Sequence, residues 1–418
     1  MDRLLLILPS ATYRAADFMT AAREMGVAIT VASERRATMS ETMGDRALTL
    51  RLSDPQDAAE TIIARARDTP FAAIVGVDDQ GVMAAALASE RLGLAHNPPA
   101  AVARTRDKAA SRQALADAEV PQPRFVLLPP GADVPTATRT IGLPCVVKPL
   151  SLSGSQGVIR ADDLDQARSA AERVRRILAA AGQPADAPLL LESYLPGAEV
   201  AVEGLLRSGR LEVLAIFDKP DPLEGPYFEE TLYVTPSRLP PAVLAEVERI
   251  TAQAARALGL REGPVHAELR VHDRGVRVLE LAARSIGGLC SRALRFGAGV
   301  SLEQLILRHA LGLGVDDLAR ESMAAGVMMI PIPRTGTLVE VGGQAQARAV
   351  EGIDGLRITI PRGRPVVPLP EGDRYLGFLF ARGLTAAAVE RSLREAHARL
   401  QVRIEPSPGR VPEAAGVH

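Results

Sequence analysis

The chain has 418 residues, 47% of them apolar and 24% charged, which describes an ordinary folded protein of two or three packed domains and excludes the disordered class. Its 49 basic and 50 acidic side chains give a formal net charge of -1, so global charge provides no basic surface for nucleic acid. Two cysteines, Cys145 and Cys290, with no Cys-x-x-Cys, exclude a disulfide scaffold and a thiolate zinc site.

The apolar run Leu4–Leu8 predicts a buried strand. It lacks the longer apolar core and small-residue cleavage site of a signal peptide, and no stretch approaches the roughly 20 apolar residues of a membrane helix. The expected location is the cytoplasm, with no membrane partner. A helix over 15–25, a strand over 27–31, a strand over 71–77 ending in Asp78 and Asp79, and a helix over 84–91 follow. This alternation predicts a Rossmann-like parallel sheet with helices on its faces. The first turn has no G-x-G-x-x-G, so no dinucleotide fingerprint is present. His96-Asn97-Pro98-Pro99 interrupts the pattern and sets a first domain at 1–98. A helix over 101–118 opens a second unit, 99–200, with strands at 145–149 and 189–192 and a helix over 164–180. A third unit, 201–325, carries a hairpin turning at Ser208-Gly209, a helix over 239–258, two strands joined by Asp273-Arg274-Gly275 and a helix over 302–311. From Gly326, short strands, glycine turns and a helix near 385–400 predict a β-rich lobe over 326–418, whose tail from Pro406 is frayed. The fold class is α/β with α+β character.

The sharpest local feature is Val147-Lys148-Pro149 followed by Leu150-Ser151-Leu152-Ser153-Gly154-Ser155-Gln156-Gly157-Val158. A buried strand delivers a lysine to its edge, and a small-residue loop follows. Glycine lets backbone N–H groups approach an anion closely, and lysine adds a mobile positive charge. The pattern suits a polyphosphate but is not a Walker A loop, because the G-K-[ST] ending is absent; a plain surface hairpin has the same local look. Lys108, just past the first boundary, is placed by a helix start to reach a phosphate or to be an ordinary solvated lysine.

Two strands expected to pair each carry a glutamate, Glu268 and Glu280. Across the Asp273-Arg274-Gly275 turn they face one pocket. Carboxylates among apolar neighbours need a metal or a basic partner, and Mg²⁺ is commonly held by one or two carboxylates plus substrate phosphates. An outward-facing salt-bridged pair is the simpler alternative. Arg284, four residues past Glu280, suits a substrate carboxylate or a transferring phosphoryl group. The amides of Gly287 and Gly288 suit an anion.

Taken in order, these segments resemble the ATP-grasp superfamily, in particular carboxylate-amine ligases such as the bacterial L-amino acid ligases. The resemblance spans most of the chain and is strongest from Lys108 to Arg284. It implies an ATP-grasp architecture in which two sheet-based lobes hold ATP. Lys108 and Lys148 then match the nucleotide-site lysines, and Ser153, Gly154, Ser155 and Gly157 the phosphate-covering loop. Glu192, Ser193 and Leu195 match the strand that reads adenine, with the Glu192 carbonyl as acceptor and the Leu195 amide as donor. Glu199 matches the acid near the ribose, and Glu268 and Glu280 the metal-binding glutamates. The family asparagine two residues after the second glutamate is Ala282 here, which leaves the number of metals open. Lys219, Glu229 and Glu230 fall in the segment near the reaction centre, with Lys219 expected to contact a phosphate and Glu229 or Glu230 to attract a substrate ammonium; His266 reads either as a group that orients a ligand or as a satisfied strand histidine.

The implied activity is ATP- and Mg²⁺-dependent amide or dipeptide formation through an acyl phosphate, releasing ADP and phosphate, with Mn²⁺ as a substitute ion. Arg284, Lys148, Gly287 and Gly288 would carry the chemistry. The partners would be a small carboxylate and an amine, at least one an amino acid, and the family expectation is a homodimer. No nucleophilic side chain is needed, so Cys290 reads as packing. The competing readings are an ATP-dependent carboxylase or formate-activating ligase, and a non-catalytic nucleotide-binding regulator.

Overall fold

A computed structural model describes residues 3–10, 12–35, 46–297, 299–315 and 319–406. The tail expected to fray lies outside the described residues from position 407 on. Four parallel strands open the chain: β1 (Arg3–Ile7), β2 (Ala28–Ser33), β3 (Ala47–Thr49) and β4 (Ala73–Gly76), in the order β3-β2-β1-β4. Leu4, Leu5, Leu6 and Ile7 have no solvent exposure. A parallel strand is covered on both faces, which is why this one is apolar without alternation; each such side chain contributes about 1.5–3 kcal/mol. Helices Ala15–Glu24, Pro55–Asp68 and Val82–Leu92 supply the cover. The helix Pro55–Asp68 was not expected from the sequence, although Asp54 caps it by accepting from the Asp57 N–H and Pro55 stands in its first turn, both ordinary helix-start signals.

The single helix expected over 101–118 is two, Pro99–Arg106 and Lys108–Asp117. Asp107 between them is extended (φ -118°, ψ 109°), and its carboxylate accepts from the Ala109 and Ala110 N–H groups. Capping therefore ends one helix and starts the next, and it sets Lys108 at the first position of the second.

A small lobe follows, an antiparallel sheet of β5 (Phe125–Leu128), β6 (Cys145–Pro149), β7 (Ile159–Ala161) and β8 (Leu189–Ser193) in the order β5-β8-β6-β7. Helices Val134–Ile141 and Leu164–Ala180 pack on it. The main sheet then begins with β9 (Ala198–Arg207), β10 (Arg210–Lys219), β11 (Leu232–Thr235), β12 (Gly263–His272) and β13 (Gly275–Ala282), backed by helix Pro241–Leu258. After the short pair β14 (Arg295–Phe296) and β15 (Val300–Ser301) and helix Leu302–Ala310 come β16 (Ala324–Ile330), β17 (Gly336–Gly342), β18 (Ile353–Ile358), β19 (Pro365–Val366), β20 (Gly377–Gly383), helix Ala386–Ala398 and β21 (Gln401–Glu405).

The change of character at Gly326 is not a change of sheet. Gly326 lies inside β16, and β16, β20 and β18 complete one eight-stranded sheet, β13-β12-β9-β10-β11-β16-β20-β18. Among the described strands from β16 on, β17, β19 and β21 form the one separate sheet. The denser turns mark shorter strands, while one apolar cluster runs from Leu4 and Phe18 to Phe378 and Phe380. Likewise β9 starts at Ala198, so its first three residues fall in the expected second unit. No described helix is long and apolar enough to cross a membrane.

Candidate active site

A cleft of about 340 Å³ is lined by the N-terminal strand ends, the small lobe, the main sheet and a loop of the C-terminal region. At the small-lobe end, β6 carries Lys148 into a buried position, where its Nζ lies 2.6 Å from Glu192 Oε2 on the neighbouring β8. Arg112 Nε takes the other oxygen at 2.5 Å and its Nη2 donates to the Leu279 carbonyl at 2.6 Å. Burial lowers the Lys148 pKa against the pull of Glu192. Burial also opposes the charge on Glu192, but Arg112 and Lys148 outweigh it and hold the carboxyl below its usual range. The Glu192 side chain is thus a buried counter-ion. Ser193 N–H donates to Arg124 on the β5 side at 2.9 Å and Tyr194 N–H to Pro144 on the β6 side at 3.1 Å. Strand alternation therefore turns the Glu192 carbonyl toward Val146 in β6, inside the sheet and away from an incoming base. Ser193 and Leu195 remain on the cleft wall.

Ser153, Gly154 and Ser155 line the cleft, and Gly157 does not. Gly154 has φ 63° and Ser155 φ 58°, a left-handed turn that glycine adopts freely. Gly157 N–H donates to the Pro370 carbonyl at 3.0 Å, and the Gln156 amide to that of Glu371 at 2.8 Å. The loop is therefore fastened to the C-terminal region. Lys108 Nζ reaches the loop at the Leu152 carbonyl, 2.7 Å away, and lies 3.6 Å from Glu280.

The middle of the cleft holds an excess of carboxylates. Lys219, 2% exposed, lies 2.7 Å from Glu199, 2.5 Å from Glu230 and 3.4 Å from Glu268. Its pKa is raised, because the three acids overcome the penalty of burial. One oxygen from each of these acids falls within 4.8 Å of the others. Arg270 Nε holds Glu199 at 2.9 Å, and the Tyr233 hydroxyl donates to Glu230 at 2.8 Å. Burial and the Glu268 charge push Glu230 up to about 7. Glu230 is thus occupied by Lys219, and Glu229 does not line the cleft; neither offers a free charge there to a substrate ammonium. Glu199, expected at the ribose, is buried between Lys219 and Arg270.

Glu268 and Glu280 are direct cross-strand partners on β12 and β13, as the turn between them predicts. Both line the cleft, but Glu268 turns to Lys219 and His266 while Glu280 turns to Lys108. Burial opposes charge on Glu268, yet Lys219 and His266 hold it well below the usual carboxylate range. His266 donates from Nδ1 to Glu203 at 2.6 Å and has Nε2 3.5 Å from Glu268. Burial works against its charge, but the two acids push it up to about 9. Ala282 stands directly opposite His266 in the register.

Arg284 places Nε 2.9 Å from Asp79 of the N-terminal sheet and donates from Nη1 to the Ser285 carbonyl at 3.1 Å. Gly287 and Gly288 line the cleft beyond it. Gly288 has φ 60°, and a Cβ there would meet the Phe378 ring at 2.9 Å; Gly287 has open space. Arg14, 2% exposed, locks this loop to the first strand's end through Ser285 Oγ at 2.6 Å, the Ile286 carbonyl at 3.1 Å and Glu303 at 2.9 Å. Cys290 is buried, and burial raises its pKa, so it is no nucleophile. Arg14, Asp78, Asp79, Arg112 and Tyr375 were missed as site residues. The signal for the two aspartates was their position at the carboxyl end of a parallel strand, where ligands of such sheets gather. Arg14 and Tyr375 reach the cleft, and Arg112 reaches Glu192 behind it, only through tertiary contacts.

Family comparisons agree with this architecture. The model described as ATP-grasp N-terminal domain matches residues 19–96, ATP-grasp domain 141–293, and L-amino acid ligase C-terminal domain 2 residues 328–405. The chain belongs to the ATP-grasp superfamily. Within it, the fold is similar to that of an L-amino acid ligase from Bacillus licheniformis, with a TM-score of 0.79 at 23% identity over 97% of this chain and 99% of that one. In sequence it is similar to an alanine–anticapsin ligase of Bacillus subtilis, 28% identical over 60% of this chain and 56% of that protein. It is also similar to the uncharacterized protein y4rH of Sinorhizobium fredii, 26% identical over 74% of this chain and 63% of that protein. The matched region thus spans between half and two thirds of these curated relatives.

Proposed function

We propose that this protein is an ATP-dependent carboxylate-amine ligase that forms an amide or dipeptide and releases ADP and phosphate. The observation that carries the reading is the division of charge along one cleft. Lys148 and Arg112 share a single carboxylate at the loop end, while Glu268, Glu280 and Arg284 line the same cleft. The first arrangement suits a polyphosphate and the second a cation.

The donor set fits a hard divalent ion: carboxylate oxygens on adjacent strands, with Lys219 and Lys108 as their present counter-charges. Glu268 and Glu280 would hold Mg²⁺, or Mn²⁺ in its place, and the ion would offset charge on the phosphate oxygens. Lys148 and the loop 151–157 would hold the ATP phosphates, with Lys108 beside them. Ser193 and Leu195 supply backbone groups for the base. The substrate carboxylate attacks the γ phosphorus, the bond to the ADP oxygen breaks, and an acyl phosphate forms. The amine then attacks the acyl carbon, loses a proton, and phosphate leaves with one oxygen of the original carboxylate. Arg284 and the amides at Gly287 and Gly288 stabilise the oxyanion. The loop fastened at Pro370 and Glu371 excludes water from the labile intermediate.

The test is ADP release from Mg²⁺-ATP with pooled amino acids and small carboxylates, followed by product mass. Stimulated release with a new amide mass, lost in Glu268→Gln and Glu280→Gln, is the expected result. ADP release that needs bicarbonate and no amine would overturn the reading.

A further inference from the structure

Three neighbouring strands of the main sheet set one residue each in a row across it: Glu203 of β9, His266 of β12 and Ala282 of β13, paired in register. Directly opposed residues project from the same face of a sheet, with Cβ atoms about 5 Å apart. His266 shares that face with Glu268 two residues on, and Glu268 pairs with Glu280. This face is cleft wall: His266, Glu268, Glu280 and Ala282 all line it. Ala282 brings only a methyl group to the row, so no polar side chain of β13 stands directly opposite the His266 ring.

The two ring nitrogens are held differently. Nδ1 lies 2.6 Å from Glu203 Oε1, a tight charge-assisted hydrogen bond. Nε2 lies 3.5 Å from Glu268 Oε1, beyond the roughly 2.7–3.2 Å of a hydrogen bond. Lys219 faces the same Glu268 oxygen just as loosely, at 3.4 Å. Glu203 has no solvent exposure, and its other oxygen, Oε2, has no hydrogen-bond partner. Burying a carboxylate in that state is costly. What it secures is one ring orientation, with Nδ1 on Glu203 and Nε2 toward Glu268. A metal-ligating histidine is held in this way, its second nitrogen fixed by a carboxylate. The gap fits as well. Ligand atoms each about 2.1 Å from one octahedral ion stand roughly 3 Å apart, so a small turn of either side chain closes the 3.5 Å gap onto an ion.

We propose that His266 Nε2 is a direct ligand of the divalent ion that Glu268 holds, with Glu203 as the residue that positions the ring. Ligation uses the Nε2 lone pair, so a proton there leaves to solvent as the ion arrives. The ion is then bound by nitrogen as well as oxygen, which favours first-row transition ions such as Mn²⁺ over Mg²⁺. This rests on the divalent-ion site of the ligase reading.

The experiment is pulsed EPR on the full chain with one equivalent of Mn²⁺ and saturating ADP, the protein carrying ¹⁴N- or ¹⁵N-histidine. The wild type is expected to show echo modulation from a directly bound histidine nitrogen, changed by the ¹⁵N label and lost in His266→Gln. Titration calorimetry on the same ADP complex is expected to show the preference for Mn²⁺ over Mg²⁺ falling on the order of tenfold in His266→Gln. Glu203→Gln should keep the nitrogen signal and weaken Mn²⁺ binding by about 10-fold or more. Mn²⁺ bound by the wild type with no histidine nitrogen overturns the proposal and leaves the ligase reading standing; this outcome needs no variant to fold. So does modulation undiminished in a His266→Gln protein that keeps a cooperative melting transition. A wild type that binds no Mn²⁺ with ADP overturns the metal reading of Glu268 and Glu280 together with the proposal.

Discussion

The two buried lysines of the cleft sit in opposite electrostatic settings. Lys148 and Arg112 share one carboxylate, Glu192, so that end has spare positive charge. Lys219 faces three, Glu199, Glu230 and Glu268, so that end has spare negative charge. The lysines are alike in burial but their pKa values move apart, down for Lys148 and up for Lys219. Burial penalises both charges, and the number of carboxylates around each decides the outcome. A cleft polarised in this way can order a phosphate chain at one end and a cation at the other before either arrives.

The sharpest way to break this contrast is to remove each lysine. Lys219→Met leaves three acids crowded without their central cation and is expected to cost about 3–5 kcal/mol at neutral pH, the range for breaking a buried pair. The loss should shrink as pH falls toward 5 and the acids take up protons. Lys148→Met should cost less, about 1–3 kcal/mol, because Arg112 still pairs with Glu192. Urea unfolding of both variants at pH 5 and pH 7.5 measures the difference; equal losses would deny the contrast.

A second effect lies in His266. Its folded pKa of about 9 stands above the ordinary 6.5, so the stability it contributes is fully present below pH 6.5 and is lost as pH rises through 9. The wild type should lose about 2–3 kcal/mol over that window, a loss absent from His266→Asn. Unfolding free energies at pH 6 and pH 9.5 check this. The smallest effect concerns the glycine pair beyond Arg284. Gly288→Ala must hold a side chain at φ 60° and move the Phe378 ring, for about 1–2 kcal/mol. Gly287→Ala meets open space and should leave the melting temperature unchanged.

The loop end of the cleft was legible because its parts are local. A strand lysine and the small-residue loop after it are contiguous in sequence, and the glutamates of β12 and β13 are joined by a short turn. The end of the cleft beside Arg284 was not. Arg14, Asp78 and Tyr375 lie in three distant segments, and only packing of the N-terminal sheet and the C-terminal loop against the main sheet unites them. Arg112 was hidden for another reason: capping by Asp107 divides what periodicity reads as one helix, and the break fixes which faces look inward. The boundary at Gly326 misled because turn density marks short strands as readily as a new domain, and β16 continues the sheet.

The central claim is that the substrate carboxylate is activated as an acyl phosphate. It is tested most directly by supplying a stimulating carboxylate labelled with ¹⁸O in both oxygens, with Mg²⁺-ATP and an amine, and measuring the mass of the phosphate released. The account predicts one ¹⁸O in each phosphate and one retained in the amide. Unlabelled phosphate, or release of AMP in place of ADP, would contradict it.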